Sequence, residues 1–192
     1  MATILDIDYF LPLLSACPGK PLTATLVHRT PYGALAGLPP DLLFTSRLSH
    51  RYNLAGSACT YWSADETTTQ WEFEDGVDPV LTDPLDPVLL HHAKVHLVER
   101  PVLDLLDKNV LDTLGLGEEE LFDDWRKNEP VATQYLGAAV EAANAFSAIR
   151  YPSAPAHRRG ETRANVAIFR ACVLAPDWVQ VIWRGGPIMR WP

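Results

Sequence analysis

Apolar and polar positions change period several times along the chain, and each change marks an element. Ile4, Leu5, Ile7, Phe10, Leu11, Leu13 and Leu14 form a short apolar element interrupted by Pro12, followed by a turn at Cys17-Pro18-Gly19-Lys20-Pro21. Leu22 to Val27 alternates as a strand does and ends at His28-Arg29. Residues 34–46 read as a connection, because Leu38-Pro39-Pro40 bars a helix. Ala58 to Ser63, rich in aromatic and small residues, predicts a second strand. Thr67 to Phe73 predicts the first turns of a short helix, with Asp65 and Glu66 where the positive helix end favours acids. On that helix Glu72 shares a face with Thr68 and Thr69.

Residues 75–90 hold Gly76, Pro79, Pro84 and Pro87 among aspartates, which predicts a long loop able to act as a lid. Lys94 to Val98 alternates like a strand, and Pro101 to Asp107 reads as another strand leaving into a turn. A brief helix follows over Asn109–Leu116, capped by Gly117, and a second over Gly117–Asn128, acidic at its start. Pro130 opens the clearest helix, whose apolar stripe (Ala132, Tyr135, Leu136, Ala139, Val140, Ala143, Phe146) is core rather than a cofactor site. A strand from Ala148 ends at Tyr151-Pro152-Ser153, with a basic mobile loop through Arg163 beyond it. Asn165–Arg170 and Trp178–Trp183 predict two closing strands, paired as a terminal hairpin.

Length narrows the organisation. A chain of 192 residues is read as one domain over 1–192, large enough to bury a core. Hydrophobic residues at 47% and charged residues at 21% match a soluble globular protein. Sixteen prolines against eleven glycines favour short elements and stiff connections. A formal net charge of −8 argues against an extended nucleic-acid footprint, though not against a local basic pocket. No apolar run reaches the roughly 20 residues a membrane helix needs, so no membrane contact is expected. The N-terminal stretch carries acids where a signal peptide carries lysines, and Cys17, Cys59 and Cys172 are too scattered for a disulfide framework or zinc knuckle. The expected compartment is the cytoplasm.

Candidate chemistry concentrates between Arg47 and Glu74. A basic grip (Arg47, Arg51), a Tyr52-Asn53 pair, a small-residue turn, the aromatic strand of Tyr61 and an acid on the next element follow one another. Holding a dinucleotide by its phosphates and breaking a bond at its sugar needs those parts; a hairpin with solvated charges is the plainer reading. Arg29 points into the cleft at a sheet edge or snorkels over the surface. His92 and His96 have a metal-ligand spacing only on a helix, and the alternation around them favours a solvated strand face, so no metal is expected. Ser153 is a hydrogen-bond donor at a cleft or a turn serine, and no G-x-S-x-G pattern makes it a nucleophile.

Taken in order, these stretches resemble the RES-domain family, toxin partners of Xre-type antitoxins. The matching parts are His28-Arg29, Arg51-Tyr52-Asn53, Tyr61 through Glu72, the Val102-Leu-Asp-Leu105 strand, Gly115 through Trp125, and Tyr151-Pro152-Ser153 with Asn165 and Phe169 beyond, over roughly residues 22–170. Departures are Ser49-His50 in place of paired glycines, Tyr52 in place of tryptophan, and Thr69 in place of an alanine. The resemblance implies an α+β fold, with mixed sheets and short flanking helices, similar to ADP-ribosyltransferases. It implies an NAD-consuming toxin that cleaves the nicotinamide–ribose bond and passes ADP-ribose to a protein, to water or to phosphate. It also implies an antitoxin covering the active site. On that basis Glu72 serves the ribose, with Glu74 as competing acid. Arg29 and Arg51 serve the phosphates or positioning, Tyr61 and Tyr52 form an aromatic wall, and Ser153 hydrogen-bonds nicotinamide or ribose. A catalytically silent module acting only through its partner is the alternative.

Overall fold

The computed structural model describes residues 5–31, 49–76, 88–126, 130–182 and 189–192. Helix α1 (Ile7–Leu14) begins at Asp6, whose carboxylate accepts from Tyr9 N at 2.9 Å, and it tolerates Pro12 inside. Strands β1 (Gly19–Pro31) and β2 (Cys59–Ser63) follow, then helix α2 (Glu66–Gly76) and the long strand β3 (Val88–Asp104). Three helices come next: α3 (Lys108–Leu114), α4 (Glu118–Phe122) and α5 (Ala132–Ala143). Strand β4 (Ala148–Pro152), helix α6 (Ala154–Arg158), β5 (Ala164–Phe169), β6 (Trp178–Ile182) and β7 (Met189–Trp191) complete the order. This is the α+β architecture expected from the sequence.

The strands run in the order β1-β2-β5-β4-β3-β6-β7, and an added β1–β3 pairing closes the first five into a ring. Strand β3 makes the closure possible by its length. Its first part pairs with β1 and β6, both antiparallel, while its last residues run parallel to β4 (Leu103↔Ile149) and meet β1 again (Gly19↔Leu103). Strand β1 touches β2 only at Val27↔Ser63, so the two diverge below that point.

Alternation along β2, β4 and β5 sorts side chains between two cores. Cys59, Ile149, Tyr151, Ala167 and Phe169 face the helices and pack with Phe10, Leu114, Leu136 and Val140. Trp62, Ala148, Val166 and Ile168 face the opposite way, toward Leu26, Val95, Leu97 and Val179 of the other strands. All six residues of β5 are therefore buried, which a strand covered on both faces requires. Each large aliphatic side chain so buried contributes about 1.5–3 kcal/mol.

Several sequence expectations are corrected here. The two closing strands do not form a hairpin: β5 pairs with β2 and β4, and β6 with β3 and β7. Alternation gave each strand's existence but carries no information on its neighbour. The predicted strand at 101–107 is the end of β3, continuing through Pro101. The loop after Ser153 opens as a helix, because Ser153 caps it and Pro155 sits in its first turn. The left-handed residue ending α3 is Gly115 (φ +65°), where a Cβ would stand 2.6 Å from the Tyr9 hydroxyl. The acidic helix stops at Phe122. The connection at 34–46 and most of the proposed lid, 77–87, lie outside the described residues.

Candidate active site

Two adjoining cavities open beside α2, and Tyr61, Glu72 and Tyr151 line both. The larger, about 480 Å³, is bounded further by Arg51, Trp125, Arg126 and Arg158, with Asp75, Asp123 and Asp124 among them. The smaller, about 130 Å³, is bounded by His28, Arg29, Trp62, Phe73 and Asn165. Glu72 lines both cavities and Asp75, Asp123 and Asp124 line the larger, so the arginines are not a uniformly basic surface.

Glu72 reaches the junction because α2 is oriented at its start. Asp65 caps the helix, accepting from Thr68 N at 2.8 Å and from Thr68 Oγ1 at 2.9 Å, and Arg163 Nη1 holds the same carboxylate at 3.1 Å. Those contacts hold the Asp65 carboxyl below its usual range although burial opposes them. Thr68 and Thr69 form the buried face of α2, and Glu72 follows one turn later on that face. Its Oε1 accepts from Ser153 Oγ at 2.6 Å and from Asn165 Nδ2 at 2.6 Å, while Oε2 accepts nothing among the described residues. Asn165 is oriented in turn by Ser63 Oγ, which donates to its Oδ1 at 2.9 Å. One carboxylate oxygen is thus pinned and the other faces no donor among the described residues. Glu74 faces away: it is exposed, accepts from Gln70 at 2.8 Å and lines neither cavity.

The Arg51-Tyr52-Asn53 step is a tight turn closed by His50–Asn53 backbone bonds. Tyr61 fastens it to β2, since its hydroxyl donates to Asn53 Oδ1 at 2.8 Å and accepts from Tyr52 N at 3.0 Å. Helix α5 presses on its other side. A Cβ at Gly137 would meet Tyr52 O at 1.8 Å, and Gln134 Nε2 donates to His50 O at 3.0 Å. Arg51 leaves this turn into the larger cavity, where Nη1 donates to Leu121 O at 2.7 Å. Arg29 lies at the smaller cavity, with a buried Nε that has no hydrogen-bond partner among the described residues.

Burial raises the Tyr61 and Tyr151 phenols well above their ordinary range, and the Glu72 charge adds to the effect at Tyr151. Both rings are neutral walls. Burial first, and the neighbouring His91 second, lower His28 to about 4, so it too is uncharged at neutral pH.

Of the residues singled out from the sequence, Glu72, Tyr61, Arg29 and Arg51 come together around the two cavities. Tyr52 and Ser153 do not line them. Tyr52 is fully buried against Tyr151, with ring centroids 4.5 Å apart, so it supports the wall from behind. Ser153, at 1% exposure, meets Glu72 rather than the open cleft, and also accepts from Ala156 N to cap α6. Asn165, Ser63 and Tyr151 were given no role from the sequence. Their signal is the register: Ser63 and Tyr151 both stand opposite Asn165, which only the sheet pairing reveals. His92 and His96 lie on one face of β3, and among the described residues no group of three potential ligands is placed to hold a metal.

A RES-domain family model matches residues 23–183 of this sequence. The chain belongs to the RES-domain family. Its fold is similar to a chain in the crystal structure of the M. tuberculosis MbcT-MbcA toxin-antitoxin complex, with a TM-score of 0.63 and 17% identity over 86% of this chain and 83% of that one. No curated protein matches the sequence. Among the described residues no helix is long and apolar enough to cross a membrane.

Proposed function

We propose that this chain is the toxin of a toxin–antitoxin module and cleaves the nicotinamide–ribose bond of NAD. One observation carries the reading: the Glu72 carboxylate, fixed through a single oxygen by Ser153 and Asn165, stands between a small aromatic pocket and a larger cleft bearing Arg51. The small pocket suits a flat ring, walled by the neutral phenols of Tyr61 and Tyr151. The larger cleft suits the pyrophosphate, which the unspent donors of Arg51 grip as a fork. Arg29 supplies a further donor to the substrate or positions it.

In the reaction the C1′–N bond breaks and its electron pair leaves with nicotinamide. The ribose carbon takes on positive charge, which the free oxygen of Glu72 stabilises. An acceptor's lone pair then forms the new bond to C1′ and the acceptor loses its proton. The acceptor is a protein side chain, water or phosphate. The partner is an Xre-type antitoxin that covers the cleft, an acidic segment of it competing with pyrophosphate for Arg51.

The test is incubation of the purified chain with NAD, reading free nicotinamide, beside expression in a growing host. Nicotinamide release and arrested growth are expected, both lost in Glu72→Gln and both retained in Glu74→Gln. Absence of nicotinamide release from a folded wild-type chain would sink the enzymatic reading in favour of a silent module.

A further inference from the structure

A third cavity, about 250 Å³, lies on the opposite face of the catalytic strands and shares no residue with the cleft. It lies beside the single β1–β2 pairing at Val27↔Ser63, on the side of β1 that precedes Val27, and Leu22, Leu26, Val102 and Val166 line it. Its walls are aliphatic and its mouth is charged. There Asp104, 3% exposed, accepts from Arg150 Nη1 at 2.9 and 3.1 Å and from Lys20 Nζ at 3.0 Å. Two cations around one carboxylate leave a net positive charge. They also leave donors unspent: Nε and Nη2 of Arg150 make no hydrogen bond among the described residues, and the Lys20 ammonium spends one proton on Asp104.

We propose that this cavity binds a small amphipathic anion, an aliphatic carboxylate whose tail lies on Leu22, Leu26, Val102 and Val166 and whose head takes the free donors of Lys20 and Arg150. The volume sets the size class, since it falls below the roughly 300–1,000 Å³ of drug-sized sites and admits a single short chain. Charge complementarity sets the head. A neutral head leaves the surplus cation unanswered, and a cationic head is repelled. The site is independent of NAD chemistry, although its lining alternates with cleft residues along the same strands: Ala64 follows Ser63, Arg150 precedes Tyr151 and Val166 follows Asn165.

Calorimetric titration of the full chain with octanoate, octan-1-ol and octylammonium separates the contributions. Octanoate is expected to bind at one site per chain, about tenfold more tightly than the alcohol, with no binding of the amine. Lys20→Glu, at a side chain 65% exposed and therefore tolerant of change, is expected to remove that preference. Ala24→Leu, which fills the cavity, is expected to abolish binding while nicotinamide release is kept. Equal binding of acid and alcohol, or octanoate binding unchanged in both variants, overturns the proposal. So does absence of binding to the folded wild-type chain.

Discussion

Glu72 and Arg51 face the same cleft, yet their surroundings differ. Glu72 is held at one oxygen by donors from two other elements, the cap of α6 and the start of β5, and its own helix is anchored through Asp65. Arg51 stands on a two-residue turn and makes one side-chain hydrogen bond among the described residues, to Leu121 O. An acid that must stabilise charge at a fixed carbon gains from preorganisation, because no reorientation is needed as the charge develops. A cation that grips a phosphate gains from donors left unspent. Under the proposed function the contrast assigns the Glu72 contact to the transition state and the Arg51 contact to binding, and it can be broken by substitution.

The largest effect is expected at Glu72. Glu72→Gln keeps an acceptor for Ser153 and Asn165 but removes the charge, and nicotinamide release should fall by about 10²–10³ with melting temperature unchanged. If turnover survives, the carboxylate is not where charge is stabilised and the contrast collapses.

Arg51→Ala should act mainly on binding. KM for NAD should rise about tenfold or more, with kcat changed less, since a phosphate grip is made in ground and transition states alike. A fall confined to kcat reverses the assignment.

Ser153→Ala sharpens the comparison from the acid's side. It frees Glu72 from one of two donors and uncaps α6, so kcat should drop by a few fold while stability falls by about 1 kcal/mol. Asn165 keeps the carboxylate near its place. Unfolding in denaturant separates the two losses, and a stability loss with unaltered kcat makes Ser153 a cap and nothing more.

The last effect concerns pH and stability and leaves turnover aside. His28 is neutral in the fold because its pKa is lowered from 6.5 to about 4, so the unfolded chain binds the extra proton between those values. Its contribution to stability is present above pH 6.5 and is lost as the pH falls toward 4. Melting temperatures of the wild type and His28→Gln should converge over that window; parallel curves refute the assignment.

Local chemistry carried much of this in the sequence. Asp65 followed by threonines marked the start of α2, and side chains three and four apart put Glu72 on one face with Thr68 and Thr69, while the preference for Glu72 over Glu74 came with the RES-domain resemblance. The strand of Tyr61 and the strand that leads into Ser153 were legible from aromatic and small residues and from Tyr-Pro-Ser. Their partners were not. Period-2 alternation says which side chains share a face and nothing about which strand lies beside, so a β5–β6 hairpin was expected where β5 pairs with β2 and β4. The burial of Ser153 and Tyr52 was not legible for the same reason. The sequence offered a hydroxyl and a ring near a cleft, but burial against Glu72 and Tyr151 turned both inward.

By itself, then, the sequence determined what depends on neighbours a few residues away: caps, turns, helix faces and the types of side chain present. The tertiary structure alone decided what depends on contacts between distant parts. Ser63 orients Asn165 across 102 positions, Asn165 holds Glu72 across 93, and Ser153 holds it across 81. Those hydrogen bonds exist only because sheet register and the packing of α2 bring the groups within 3 Å, and neither is encoded at any single position.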